Sequence, residues 1–164
     1  MTDSASWEYL LSHHTAARSC RTLRLTVRGR TLHLCARCTG QFAGIVAGLT
    51  VFGISEGLRF PVFSLVVQSI TSLLPLLAAW DWTGQALGQR ESTNLLRLAS
   101  GGLLGVAFID LLGLLVFRQF EMLLGGLLIL SLYVAGIAII LRVTGAWRRV
   151  LEEHFPGIDL GSTV

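Results

Sequence analysis

Cysteine and histidine gather near the start of the chain. All three cysteines, Cys20, Cys35 and Cys38, lie there, with the adjacent pair His13 and His14 just upstream. Cys35 and Cys38 form a C-x-x-C, a spacing that lets two thiolates reach one tetrahedral ion. Between Cys20 and Cys35, Leu23, Leu25 and Val27 alternate with polar residues, as do Leu32 and Leu34, around Arg28-Gly29. Two alternating runs about a glycine turn read as a β-hairpin. Pairing Val27 with Arg30 sets Leu23 opposite Leu34, which brings Cys20 beside the C-x-x-C. With His13 or His14 the set becomes Cys3His. Zinc suits it best, being redox-inert and content with sulfur and nitrogen; iron is the second choice. A C-x-x-C also fits a redox dithiol, and the third reading is inert cysteines. His33 falls on the polar face of the hairpin and reads as a bystander. His154 is a lone histidine in a charged tail.

A second polar cluster, residues 81–101, reads D-W-T-G-Q-A-L-G-Q-R-E-S-T-N-L-L-R-L-A-S-G. Ser92 or Thr93 can cap a helix starting there. Asn94 and Arg97 are three apart and share a helical face, with Gly101 one turn deeper. Asp81 and Gln85 stand at the end of the preceding apolar run, and Arg90 lies between. Guanidinium forks and a helix N-terminus together favour phosphate or carboxylate. The plainer alternative is interfacial snorkelling, with Asp81 paired to Arg90 or Arg97.

The elements that must position these groups follow from hydropathy. Hydrophobic residues make up 52% of the chain and charged ones 14%, against about a quarter charged in soluble domains. Uncharged runs fill 38–55, 60–80 and 122–141, and 98–117 is interrupted only by Asp110. A bilayer core takes about 20 helical residues, so four spans are expected at 38–56, 60–80, 95–117 and 121–141. Pro75 should kink the second near its end. The expected fold is all-α: a four-helix transmembrane bundle (38–141) with an N-terminal cytoplasmic β-hairpin metal cap (1–37) and a cytoplasmic tail (142–164). No early apolar segment resembling a signal peptide is seen.

All 13 basic residues are arginine. Only Arg59 and Arg118 fall on one side of the spans, so the positive-inside rule puts both termini and the middle loop in the cytoplasm of a multi-pass membrane protein. Trp80, Trp82 and Trp147 sit near that boundary. The net charge of +3 is topological and implies no nucleic-acid partner. Gly40, Gly44 and Gly48, and Gly101 and Gly105, form small-residue stripes suited to close helix packing. Packing within the chain is preferred to a homo-oligomer interface.

The blocks H-H-T-A-A-R-S-C, G-R-T-L-H-L-C-A-R-C-T-G and 81–101 resemble an uncharacterised family of small bacterial and archaeal integral membrane proteins, domain of unknown function two-zero-eight-five. The resemblance covers roughly residues 10–108. His14 matches the family histidine. Cys35, Arg37, Cys38, Thr39 and Gly40 match the second block. Asp81, Gln85, Arg90, Ser92, Thr93, Asn94, Arg97 and Gly101 match the third. His13 stands where many members have cysteine, and Trp82 where glycine is usual. The family implies no activity, but it supports reading both blocks as functional.

Two classes of function remain. One is a metal-dependent membrane enzyme acting on a lipid or lipid-linked phosphate at the cytoplasmic face. Asp81, Arg90, Asn94 and Arg97 would be its catalytic groups, and Arg37, Gln85, Ser92 and Thr93 would contact substrate. The other is a channel, carrier or assembly protein with structural zinc; a membrane thiol oxidoreductase is a further alternative. Asp110 helps the channel reading, since an intramembrane carboxylate usually faces a cavity or a partner. Its plainer reading is a protonated carboxyl bonded to a backbone carbonyl or to Ser131. Both polar clusters should meet at one bilayer face, around a cavity lined by Arg90, Asn94 and Arg97.

Protein purified without chelator should hold about one zinc or iron per chain, the occupancy of a single tetrahedral site. Cys35→Ser or Cys38→Ser should remove it. Elemental analysis finding no metal in the wild type would contradict the Cys3His set.

Overall fold

In a computed structural model, residues 22–27, 29–57 and 64–154 are described. Strands β1 (Thr22–Val27) and β2 (Arg30–Cys35) form an antiparallel hairpin. Val27 pairs with Arg30 and Leu23 with Leu34, the register the alternation predicts. Gly29 supplies the turn at φ 76°, a left-handed conformation that glycine adopts without Cβ strain. Facing residues of an antiparallel pair share a face, so Thr22, Arg24, His33 and Cys35 lie together, opposite the leucines.

Helix α1 (Ala36–Gly57) follows β2 without a connecting loop. The Thr39 hydroxyl donates to the Cys35 carbonyl at 2.9 Å across this junction. The second span is two helices, α2 (Leu65–Leu73) and α3 (Pro75–Ala86). Ser64 caps α2, its hydroxyl accepting from the Val67 amide. This span runs Leu65–Ala86 rather than 60–80, which corrects the expectation that it ends at Asp81. Asp81 is helical and interior to α3, because its charge is met by arginine within the protein. Pro75 accordingly interrupts the span midway, not near its end. Proline has no N–H to give the Thr71 carbonyl; that carbonyl accepts from the Leu74 amide at 3.2 Å instead. The Tyr133 hydroxyl donates to the neighbouring Ser72 carbonyl at 2.9 Å.

Helix α4 (Asn94–Val116) is capped by Thr93, whose hydroxyl accepts from the Leu96 amide at 3.2 Å. A tight turn with Arg118 at φ 59° leads to α5 (Phe120–Val143). Gly145, at φ 68°, then turns the chain into α6 (Ala146–His154), a helix where the sequence suggested only a charged tail. Buried Leu141, Ala146 and Ala86 pack together, with Trp82, Leu87, Ile137 and Val150 around them. Trp82 thus helps dock α6 against the end of α3.

The chain has four helical stretches long and apolar enough to cross a membrane. The α4 span is the central one, with 33% of its residues buried against 6–11% for the others. Large apolar side chains such as Phe42, Leu49, Val66, Leu128 and Val134 point outward, the arrangement a bilayer stabilises. The glycine stripes are spent inside the chain. A Cβ on Gly40 would strike the Leu98 carbonyl, one on Gly44 the Gly102 carbonyl, and one on Gly101 the Arg37 carbonyl. Backbones of α1 and α4 therefore touch along their length.

Gly44→Ala should cost about 1–3 kcal/mol, the usual penalty of overpacking. Gly136→Ala, whose Cβ meets nothing within 4 Å, should be neutral or gain up to about 1 kcal/mol from helix propensity. Unfolding in mixed detergent measures both, and equal effects would contradict the α1–α4 contact.

Candidate functional site at one membrane face

Asp81 is completely buried on α3. The Arg37 guanidinium donates to its carboxylate at 2.6 Å, that of Arg90 at 3.4 Å, and the Gln85 amide at 3.0 Å. Gln85 is one turn further along α3, so its amide bridges to the next helix. Its carbonyl oxygen accepts from Arg97 at 3.0 Å. Arg97 is 4% exposed. Arg90 stacks over the Trp80 ring, 3.9 Å from its centroid, a cation–π seat that holds the guanidinium beside Asp81. Gly84 leaves the room: a Cβ there would lie 3.3 Å from the Arg90 Nε.

The hairpin joins the same cluster. The Asn94 amide, in the first turn of α4, donates to the Thr22 carbonyl at 3.2 Å, and Thr22 pairs with Cys35. Arg37 itself stands between Cys35 and Cys38. The two polar clusters therefore meet at the bundle end where α1 and α4 begin and α3 finishes. They form a packed network, with Asp81, Ser92 and Arg97 all buried. The reason is that Asp81 draws the arginines inward. The Arg37 and Arg90 side chains stay 28% and 33% exposed.

Asp81 pairs with Arg37 and with Arg90, the second being one of the two pairings expected, while Arg97 donates to Gln85. The Ser92 hydroxyl donates to the Thr93 carbonyl and Thr93 caps α4, so both shape the backbone at the helix start. Cys35 is buried and Cys38 exposed, both as thiols, and the two side chains hydrogen-bond. His13, His14 and Cys20 lie outside the described residues. Among the described residues no group of three histidine, cysteine or acidic side chains is arranged to hold a metal. Cys35 and Cys38 fit half of a tetrahedral set.

His33 lies on the polar face of the hairpin, as the alternation predicts. It is buried, on the face that carries Cys35, with Nδ1 3.0 Å from the Thr22 hydroxyl. Its two-residue spacing from Cys35 was the available signal, since strand residues two apart share a face. Asp110 is differently placed: Thr71 donates to it at 2.8 Å and Gln68 hydrogen-bonds it. Ser131 turns instead to the Leu128 carbonyl. A cavity of about 20 Å³ adjoins Asp110, lined also by Gln68, Thr71, Ser72 and Tyr133. That is room for one water.

Chemically, among the described residues, two guanidiniums meet the Asp81 carboxylate and a third, of Arg97, joins through Gln85, while exposed Glu91 beside Arg90 only partly offsets their charge. Among the described residues, the Arg37 Nε and the Asn94 Oδ1 are buried without a hydrogen-bond partner, leaving one donor and one acceptor open beside the cluster. Such a set suits an oxyanion that also carries a hydroxyl or a bridging water.

Asp81→Asn should destabilise the protein by on the order of 3 kcal/mol, the low end for breaking a buried ion pair, because both arginines are partly exposed. Arg37→Gln should cost more than Arg90→Gln, whose contact is longer. Loss of less than about 1 kcal/mol, the range of a surface pair, would show that Asp81 does not hold the face together.

The family model for the predicted membrane proteins called DUF2085 matches residues 13–111. The chain is 30% identical over 100 residues to the uncharacterized protein MJ1492 of Methanocaldococcus jannaschii. That match covers 61% of this chain and 60% of the relative's length. No solved structure matches. Four apolar helices and a family match across both polar blocks lead to one conclusion: the chain belongs to the DUF2085 family of predicted membrane proteins.

Proposed function

We propose that this protein is a metal-dependent membrane enzyme acting on a lipid or lipid-linked phosphate at the cytoplasmic face, with both termini on that side. The observation that carries the reading is the position of Arg37. It lies between the two thiols of the C-x-x-C and ion-pairs with Asp81, so a metal-binding knuckle and an anion-binding arginine set would be one site.

In this reading Arg90 and Arg97, with Arg37, hold the phosphate by charge-assisted hydrogen bonds. Asn94 ties the hairpin to α4 and offers its open carbonyl oxygen to a substrate hydroxyl. Asp81 is enclosed by two guanidiniums and an amide, which favours orienting the arginines over abstracting a proton. Gln85 transmits that orientation to Arg97. Thr93 and Ser92 set the start of α4, whose N-terminal amides favour an anion. Cys35 and Cys38, with Cys20 and His13 or His14, would hold zinc, or less favourably iron. Bound there, the ion would supply Lewis acidity towards water or a phosphoryl oxygen.

A second reading, a channel or carrier with structural zinc, draws on the Asp110 cavity at the break in the second span. Broken helices with polar groups at mid-membrane are a feature of transporters. A third, thiol exchange, draws on the adjacent Cys35 and Cys38 side chains.

Purified protein should turn over a member of a panel of polyprenyl and glycerolipid phosphates, and chelation should stop it. Arg97→Gln and Arg90→Gln should lower turnover by on the order of a hundredfold with metal retained, as loss of a transition-state donor does. A cysteine placed at position 90 should label only from the cytoplasmic side. Solute flux abolished by Asp110→Asn, without turnover, would favour the carrier. Dithiol exchange abolished by Cys35→Ser would favour the oxidoreductase.

A further inference from the structure

Beyond the arginine cluster, α5 and α6 enclose a second basic feature. The turn at Thr144 and Gly145 folds α6 back so that buried Leu141 and Ala146 lock it to the end of α3. Its other side leaves a cleft of about 490 Å³ against α5, lined by Ala138, Arg142, Gly145, Trp147 and Arg148. This volume lies in the range of sites for small ligands, about 300–1,000 Å³.

We propose that this cleft binds an anionic phospholipid of the leaflet in which α6 lies, its phosphate between Arg142 and Arg148 and one acyl chain running along α5 past Ala138. Three features of the cleft select that occupant over a protein or a soluble anion. The cleft spans the end of a membrane helix, so its Ala138 end faces hydrocarbon and its arginine end faces the headgroup layer. Ala138 and Arg142 are four apart on α5 and share a face, which aligns an apolar track with a cationic head. Trp147 is half exposed beside them, and indole rings favour the headgroup boundary where a glycerol backbone would sit. Basic pockets between membrane helices are suited to anionic headgroups. The site is separate from the Asp81 cluster and does not depend on the function proposed for it.

The test uses the full chain reconstituted in phosphatidylcholine vesicles with a trace of spin-labelled phosphatidylglycerol or spin-labelled phosphatidylcholine. The motionally restricted fraction of each label reports contact with the protein. The wild type should prefer phosphatidylglycerol. Arg142→Gln and Arg148→Gln should each weaken that preference by up to roughly fivefold, the effect of one basic residue near an anionic surface. Ala138→Trp should lower it with no change of charge, by blocking the acyl track. Arg142→Lys should retain most of it, and Arg118→Gln, on the other side of the spans, should leave it intact. Equal restriction of both lipids by the wild type would overturn the proposal. So would a phosphatidylglycerol preference indifferent to Arg142, Arg148 and Ala138, or lost in Arg118→Gln. Displacement of the lipid by millimolar glycerol phosphate would overturn it as well, since that marks a site for the free anion.

Discussion

The ion pair between Arg37 and Asp81 is the constraint on which the rest of the structure turns. A carboxylate with no exposure, within a span bound for a bilayer, is costly unless a cation meets it. Arg37 meets it at 2.6 Å from the first turn of α1, so the start of α1 must stand beside the last turns of α3. Gln85 extends the constraint to α4 through Arg97, and Asn94 extends it to the hairpin through the Thr22 carbonyl. Five elements are thereby fastened at one end of the bundle. Glycine makes the approach possible: Gly101 on α4 lies against the Arg37 carbonyl, where any side chain would intrude.

Much of this was readable in advance, for identifiable reasons. The hairpin register follows from alternation about Gly29, and a one-residue slip would put Leu23 and Leu34 on the wrong face. The first and fourth spans follow from uninterrupted hydropathy, and the third from a run broken only by Asp110. The small-residue stripes on α1 and α4 indicate the closest helix pair because nothing else explains glycine every fourth residue there. The second span was misread at the same point where the site lies. Hydropathy counts Asp81 as a charge and ends the helix, since a one-dimensional profile cannot include Arg37, 44 positions away. Placing that end too early also made Pro75 look terminal. Alternation places His33 on the polar face, but its burial against Thr22 comes from packing that alternation does not report. Helix α6 offers a short pattern, with Ala146 and Val150 as its buried contacts, too little to stand out from a charged tail.

The polar chemistry of the bundle occurs at two depths with different physical roles. At the membrane face, guanidiniums outnumber the carboxylate, and the hydrogen bonds run between elements. This network sets geometry as well as charge. Around Asp110, the partners are the Thr71 hydroxyl and the Gln68 amide, both neutral, beside a helix broken at Pro75 and a cavity sized for one water. Packing alone does not demand such a nest, because apolar residues would fill the same space. At the edge of the bundle, α6 adds a basic cleft directed to lipid. A charged network, a neutral nest and a lipid-facing cleft thus share a small bundle without sharing side chains, so each can be altered separately.

The coupling of Arg37 to Asp81 is tested most directly by a double-mutant cycle with Arg37→Gln and Asp81→Asn, read as unfolding free energy in mixed detergent. A genuine contact in one network predicts an interaction energy of about 1–3 kcal/mol, so the second substitution should cost little once the first is made. Additivity within about 0.5 kcal/mol, the behaviour of distant sites, would contradict the account, because the hairpin, the thiols and the arginine cluster would then have no common anchor.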